Sequence, residues 1–316
     1  MSTVSVVIPS HNAAAYIEQT VTSVLAQTMP DLELLLVDDG STDDTVALVQ
    51  ALGDPRLRVI RQAKGGVCKA RNRGIAEAQA PFICLLDHDD WWLPDKLHRQ
   101  LQVLAEHPAA GVAYSTFERW HADPATGRFP APETFDFSDV ADGTDPEFSG
   151  WVHHQFLLDC WMLTSSSMFR REVFERCGAF DESLPFSEDW DLWLRLAREF
   201  PFVQLRRPTV LYRMHAQQGS GLHRPIDYRT RLLERAAAEH GLASRDGRAI
   251  TRQRFQRQLA RYHADHGRGE LESGRVGTAL RLYAHAWRLH PTGWKYPTYL
   301  VAVLAGWRGG ALAARV

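Results

Sequence analysis

Three acidic clusters stand out for the chemistry their oxygens could do. Asp87-His88-Asp89-Asp90 sets Asp87 and Asp89 on one face of an extended segment, because side chains two apart along a strand point the same way. Hard oxygen donors so spaced suit Mg²⁺ or Mn²⁺, which keep several waters and also bind phosphate oxygens. The same acids would equally complement the start of the helix near Pro94. Asp38-Asp39 is a second pair. An aspartyl-phosphate pocket would want a lone Asp at the end of the third strand, where Arg61-Gln62-Ala63-Lys64 stands instead. Glu188-Asp189, with Asp191, lies at a helix start beside Trp190 and Trp193. A carboxyl against aromatic walls has its pKa raised, which suits a general base; plain charge complementarity at a helix start is the simpler account.

The cationic counterpart is Gly65-Gly66 followed by Lys69 and Arg71. Free backbone N–H groups and basic side chains at a helix start make a phosphate cradle. The segment is not a Walker A loop, since Gly-Lys-Ser/Thr is missing, and a turn with solvated basic residues accounts for it too. His215, after Tyr212-Arg213-Met214, is a lone histidine, structural or ligating. Cys68, Cys84, Cys160 and Cys177 are scattered with no C-x-x-C pair. That disfavours a disulfide framework and a structural zinc site, and makes a reducing compartment the default.

These clusters fall where a particular architecture would put them. Residues 4–8 (VSVVI, stopped by Pro9), 32–37, 57–60, 82–86 and 112–114 are short apolar runs, and 13–27, 43–52 and 68–78 have helical spacing, with Ser41 before Asp44 as an N-cap signal. Continuous apolar runs read as strands buried on both faces. Strand and helix in alternation make a doubly wound α/β sheet whose ligands bind beyond the carboxyl ends of the strands. Pro9-Ser10-His11-Asn12, Asp38-Asp39-Gly40-Ser41 and Asp87 to Asp90 are those ends. Residues 121–150 turn loop-like, as in a lid or insertion. A helix over 171–177 closed by Gly178, another from 187, strand-like 202–205 and 210–214, and a purely helical remainder beyond Pro225 follow.

The chain has 316 residues, 45% hydrophobic and 23% charged, ordinary for a folded chain of one large or two smaller domains. The opening MSTVSVVIPSHN lacks the basic stretch and apolar run of a secretory leader. The longest late apolar run, 299–307, is far short of the roughly 20 residues of a spanning helix. A cytoplasmic protein is expected. The net charge of −2 hides an asymmetry: residues 226–316 carry 16 Lys and Arg against 7 Asp and Glu, and the rest 20 against 31. An acidic body with a basic tail suggests something anionic near the tail.

In order along about 3–220, the motifs VSVVIPSHN (4–12), LLLVDDGSTDDT (34–45), KGGVCKARNRGI (64–75), ICLLDHDD (83–90), LPDKL (93–97), TSSSMFRREVFERCGAFDE (164–182), SEDWDLWLRLA (187–197) and YRMH (212–215) carry a likeness. The chain resembles the family 2 glycosyltransferases of the GT-A fold. The resemblance implies a Rossmann-like mixed sheet flanked by helices over 1–225, with an all-helical extension over 226–316. It implies inverting transfer of a sugar from a nucleotide-sugar, UDP-linked before dTDP-linked, to a saccharide or lipid-linked saccharide, in cell-envelope glycan synthesis. It also implies residue roles. Asp39 reads the base, a pure acceptor for the N3–H of uracil. Pro9 and Asn12 shape the nucleoside pocket, and Lys69, Arg71, Asp87 and His88 lie along the donor. Asp89, with Asp87 and His215, holds Mg²⁺ or Mn²⁺, and Asp189 is the general base. The Q-x-x-R-W acceptor motif of processive members is absent after Glu188-Asp189, which favours transfer of one sugar or few.

Rival classes are a nucleotidyltransferase and an inactive nucleotide-sugar-binding relative. The first would show a Gly-rich basic loop after the first strand, where Ser10-His11-Asn12 stands; the second would usually have lost Asp89 or Asp189. No nucleic-acid partner is expected. Trp120, Trp151, His153, His154 and Trp161 could stack on sugar faces, although core packing explains each equally well. In the tail, Phe255, Leu259 and Tyr262 mark one amphipathic helix, and Ala279, Tyr283, Ala286 and Pro291 a second, similar to the latter half of a tetratricopeptide repeat. The stretch 294–307, with Lys295, Arg308 and Arg315 about it, fits either a packed last helix or a peripheral contact with an anionic membrane.

Overall fold

The computed structural model describes residues 2–216, 218–219 and 224–306; Trp307, Arg308 and Arg315, named above, lie outside them. In chain order the elements are β1 (Val4–Ser10), α1 (Ile17–Leu25), β2 (Leu32–Asp38), α2 (Thr45–Ala51), β3 (Leu57–Arg61), α3 (Val67–Glu77), β4 (Phe82–Leu85), β5 (Trp91–Trp92), α4 (Lys96–Glu106), β6 (Val112–Ser115) and β7 (Glu118–His121). Then come α5 (His153–Phe156), β8 (Ser167–Arg170), α6 (Glu172–Cys177), α7 (Glu188–Glu199), β9 (Phe202–Leu205), β10 (Val210–Met214), α8 (Tyr228–His240), α9 (Arg252–Glu272), α10 (Val276–Leu289) and α11 (Lys295–Leu304).

Seven strands form one mixed sheet in the order β3-β2-β1-β4-β8-β6-β9. The first four are parallel, as are β6 and β9, and β8 alone runs against the other six. Its central strands are apolar on both faces because both are covered. Val4, Val6 and Ile8 join Leu34 and Leu36, Ile17, Val21 and Val24 of α1, and Leu97 and Leu104 of α4 in one core. On the other face α3 comes so close that a Cβ at Gly74 would lie 2.2 Å from Val7 Cγ1 and 3.2 Å from Val37 Cγ2. Glycine is what allows that helix to lie on the sheet.

Two local expectations are corrected. Pro9 does not stop β1, which continues to Ser10 and pairs Pro9 with Val37. Val7 accepts from the Leu86 N–H on the β4 side. Pro9, two residues on, faces the same way, past the end of β4, so its missing N–H leaves no ladder bond unmade. Ser41 does not cap α2. That helix follows Asp44, with no side-chain cap, and the Ser41 hydroxyl accepts from the Asn12 N–H instead (2.9 Å).

A second sheet, β5-β10-β7, is small but decisive for the site. Antiparallel pairing sets Val210 opposite Trp92 and Leu211 opposite Trp91. Continued by two residues, that register brings Arg213 to Asp89. The insertion over 122–150 is irregular apart from one turn of 3₁₀-helix at Pro132–Thr134. Its return is fixed to β9 through antiparallel bridges Thr144–Leu205 and Gly150–Phe202.

The described chain divides into two compact units, 1–156 with 160–216, and 217–316 with 157–159. In the second, α9, α10 and α11 share a core of Ala260, Ala264, Leu271, Ala279, Tyr283, Ala286, Tyr296 and Val303. The 157–159 segment belongs there because Tyr262 and Arg261 of α9 both donate to Asp159 (2.7 and 2.9 Å). Among the described residues no helix is long and apolar enough to cross a membrane.

Gly74→Ala should destabilise the first unit. Overpacking of a filled core costs about 1–3 kcal/mol, more than the ~1 kcal/mol that Ala gains over Gly inside a helix. Urea unfolding measures the loss, and Val7→Ala in the same chain should restore part of it.

Candidate active site

The carboxyl ends of β1, β2 and β4, the start of α3, the start of α7 and the end of β10 converge on one region of the first unit. Two clusters of polar groups occupy it.

The first lies at the ends of β1 and β2. Asp39 is buried and anchored: Gln62 Nε2 and the Gly65 N–H donate to Oδ1 (2.7 and 2.8 Å), and the Gly66 N–H to Oδ2 (2.8 Å). Burial raises its pKa, but these donors, with His11 nearby, outweigh burial and hold the carboxyl below its usual range. It is therefore a fixed anion, and Oδ2, which takes one N–H, keeps lone pairs for another donor. Gly66 has φ +93 at the cap of α3, which a side chain would resist. Asn12, at φ +50, accepts from the Thr42 N–H (2.8 Å) and so joins the β1 and β2 loops next to Pro9. Lys69 is exposed, its aliphatic stem lying against Gly65.

The second cluster is built on Arg71, a buried side chain of α3. Its Nη2 donates to Asp87 Oδ1 (2.7 Å), its Nη1 to Glu188 Oε1 (2.9 Å), and its guanidinium lies over the Phe180 ring (5.1 Å). Burial would lower its pKa, but the charges of Asp87 and Glu188 raise it instead, so the cation is permanent. His215 Nε2 is 2.8 Å from Asp89 Oδ2. Burial pushes Asp89 up, yet the His215 contact and the neighbouring His88 bring it below the usual carboxylate range. His88 itself offers its carbonyl to the Thr20 hydroxyl (3.0 Å).

At the start of α7 the three acids part ways. Glu188 is held by Arg71, and Asp191 accepts from Arg195 (2.9 Å), whose other nitrogens hold the carbonyls of Cys177 and Ala179. Asp189 has the Trp190 N–H on Oδ1 (2.7 Å). Burial first, then the charge of Glu188, pushes its carboxyl up to about 7 against the opposing pull of Arg71. A carboxyl that changes protonation near neutrality can accept a proton from a bound hydroxyl.

Two supporting residues carry more than their sequence signals suggested. Asp90 is wholly buried, its Oδ2 accepting from Ser165 Oγ (2.5 Å) and its Oδ1 from the Arg213 N–H (3.1 Å). Burial, then Asp89 and Asp87, raise its pKa well above normal. Arg213 donates through Nε to the Asp89 carbonyl (2.6 Å) and lies over the rings of Trp120 (4.0 Å) and Tyr16 (4.6 Å). The i, i+2 spacing of Arg213 and His215 was the signal that could have found it. Beyond His215 a cleft of about 650 Å³ is lined by Tyr16, Glu18, Trp91, Trp120, Phe129 and Arg213. Of the aromatic candidates for sugar stacking, His153 and His154 are buried, while Trp161 is exposed.

The comparisons bear on this geometry. Residues 5–177 match the sequence profile of glycosyl transferase family 2. An uncharacterized glycosyltransferase, EpsJ, of Bacillus subtilis is 32% identical over 64% of this chain and 58% of its own length. Relatives from Rickettsia conorii and Rickettsia felis, also uncharacterized glycosyltransferases, are 28% identical over 69% of this chain and 35% of theirs. The chain thus spans about a third to three fifths of these curated relatives. Among solved structures, S. aureus TarS 1–349 in complex with UDP-GlcNAc superposes with a TM-score of 0.64 at 18% identity, over 97% of this chain and 92% of that one. The mannosyltransferase PcManGT of Pyrobaculum calidifontis, in complex with GDP-Man and Mn²⁺, gives 0.55 at 22% identity over 95% and 83%.

Ser165→Ala should test the scaffold under the acidic loop. It strips a donor from buried Asp90 and an acceptor from the Asp87 N–H (3.1 Å), and an unmet buried polar group costs about 1–3 kcal/mol. Denaturant unfolding should show a loss of that size.

Proposed function

Because the chain belongs to glycosyl transferase family 2, we propose that it moves a sugar from a nucleotide-sugar to a hydroxyl acceptor in one inverting displacement. The observation that carries this reading is Asp189, poised near 7 between two acids already bound to arginines. Asp189 takes the proton of the acceptor hydroxyl while its oxygen bonds to the anomeric carbon. The bond from that carbon to the diphosphate oxygen breaks, and its electron pair leaves with the nucleoside diphosphate.

The donor is a UDP-sugar on this reading. Asp39, anionic and anchored, accepts the N3–H of uracil, with Pro9 and Asn12 beside it, and Lys69 faces the phosphates; the Gly65 and Gly66 N–H groups, expected from the sequence to be free for a phosphate, are taken by Asp39 instead. The complexes of TarS with UDP-GlcNAc and of PcManGT with GDP-Man support a nucleotide-sugar as the donor class. Asp87 and Asp89 each keep one carboxylate oxygen outside the contacts to Arg71 and His215. With the His215 imidazole this oxygen-rich set suits Mn²⁺ or Mg²⁺. When bound there, such an ion neutralises charge on the leaving diphosphate. Arg71 meanwhile keeps Asp87 and Glu188 in place, and the Arg213 contact to the Asp89 carbonyl fixes the loop. The aromatic cleft beyond His215 would take the acceptor saccharide, in cell-envelope glycan synthesis.

The basic second unit is proposed to rest on an anionic membrane surface where lipid-linked acceptors reside. Trp294, Val301 and Leu304 are 66%, 66% and 75% exposed on and beside α11. Co-sedimentation with anionic vesicles at low salt, weakened at high salt and abolished by Trp294→Ser with Leu304→Ser, is the expected result; no binding at low salt would end this part of the reading.

Metal-dependent release of UDP from a panel of nucleotide-sugars, with and without acceptors, tests the whole. Pyrophosphate formed from a sugar phosphate and UTP would favour a nucleotidyltransferase instead. Asp189→Asn should retain donor affinity and lose several orders of magnitude in turnover; near-normal turnover would refute the base assignment. The pH profile has a definite sign. Asp189 must be deprotonated, so kcat/KM should rise about tenfold per pH unit up to about 7 and then level. Glu188→Gln removes a repelling charge and should move that limb toward acid.

A further inference from the structure

A cluster in the second unit has no part in the chemistry above. Glu234 of α8, His263 of α9 and His285 of α10 each offer one ligand atom, and these atoms all lie within 4.8 Å of one another. Three separate helices supply them, so local sequence spacing does not explain their meeting. The α9–α10 hairpin does: Gly267 lets α9 approach Tyr283 and Leu282 so closely that a Cβ there would lie 3.1 and 3.3 Å away. One turn back along α9, that register sets the His263 ring edge-on to His285, with centroids 4.6 Å apart at 86°.

The second observation is an unmet demand. Both ring nitrogens of His263 are shielded from solvent and have no hydrogen-bond partner in the structure. Buried polar atoms are nearly always satisfied, so an orphaned imidazole calls for an explanation such as an ion. Asp227, at the cap of α8, also has one carboxylate oxygen buried without a partner.

We propose that Glu234, His263 and His285 bind a divalent transition metal of the zinc class, tying α8 to the α9–α10 hairpin. Two imidazoles and one carboxylate suit Zn²⁺ far better than Mg²⁺, and three protein ligands leave a fourth position for water. Tetrahedral ligands at zinc bond lengths of about 2.0–2.1 Å stand roughly 3.4 Å apart, so side-chain rotation closes the set. The cysteines contribute nothing, which is why cysteine spacing gave no sign of such a site.

The test uses the full, tag-free chain stripped with a chelator and titrated with Zn²⁺ against a chromophoric competitor, with excess Mg²⁺ present to occupy the oxygen-rich site of the first unit. One equivalent should bind, and His263→Gln, His285→Gln and Glu234→Gln should each weaken it at least tenfold. Glu234 is exposed, so its variant should fold even where a histidine variant does not. Co²⁺ in place of Zn²⁺ should give the intense visible bands of tetrahedral coordination in the parent chain and lose them in Glu234→Gln. Zinc binding unchanged in all three variants, or no equivalent bound beyond that competed by Mg²⁺, would overturn the proposal.

Discussion

The ion triad of Arg71 with Asp87 and Glu188 is the constraint on which the acidic site depends. Each partner comes from a different element: α3, the loop after β4, and α7. A buried guanidinium without partners is prohibitively unfavourable, and so are two carboxylates crowded together without a cation. Removing one partner of such a buried set costs about 3–5 kcal/mol, so the triad favours the relative placement of the three elements that closes it. Asp189 takes its character from the same arrangement: Glu188 repels its charge and Arg71 restrains the rise, and the two opposing influences leave it near neutrality. Substituting Arg71 would change Asp189 as well as the loop.

The layer beneath explains why polar groups can be so concentrated. β1, β2 and β3 end level at Ser10, Asp38 and Arg61 while β4 stops opposite Val7, and the residues after them have no sheet partner left. Those residues meet one another instead: Asp39 takes the amides of Gly65 and Gly66, Asn12 takes that of Thr42, and Asp90 takes the hydroxyl of Ser165. The Asp39 cluster is thus organised by backbone amides, the acidic cluster by side-chain ions.

Much of this was legible beforehand, for identifiable reasons. The runs at 4–8, 32–37 and 82–86 became β1, β2 and β4 because a strand covered on both faces is apolar throughout; the run at 57–60 became the half-buried edge strand β3. The strands β5, β7 and β8, of two to four residues, carry no pattern of their own; pairing with distant partners makes them strands. Pro9 misled because its meaning depends on which side of the strand has a neighbour. Ser41 misled because its better partner, the Asn12 amide, lies on another loop. At 188–191 the residue types offered three acids, and only the positions of Arg71 and Arg195 separate them. His263 and His285 were invisible for the same reason, since nothing in a 22-residue separation on two helices announces a meeting.

The lone reversed strand has a consequence for how the chain reaches this state. β8 sits between β4 and β6, yet about 80 residues separate it from β4 along the chain, and long-range closure of this kind is slow. During synthesis the parallel half, β1 to β4, can assemble while β4 is still an open edge able to pair with any extended chain. Ser165, which holds Asp90, arrives in the same stretch as β8. The loops around Asp39 can therefore form before the acidic cluster, which waits for the stretch that carries β8 and Ser165.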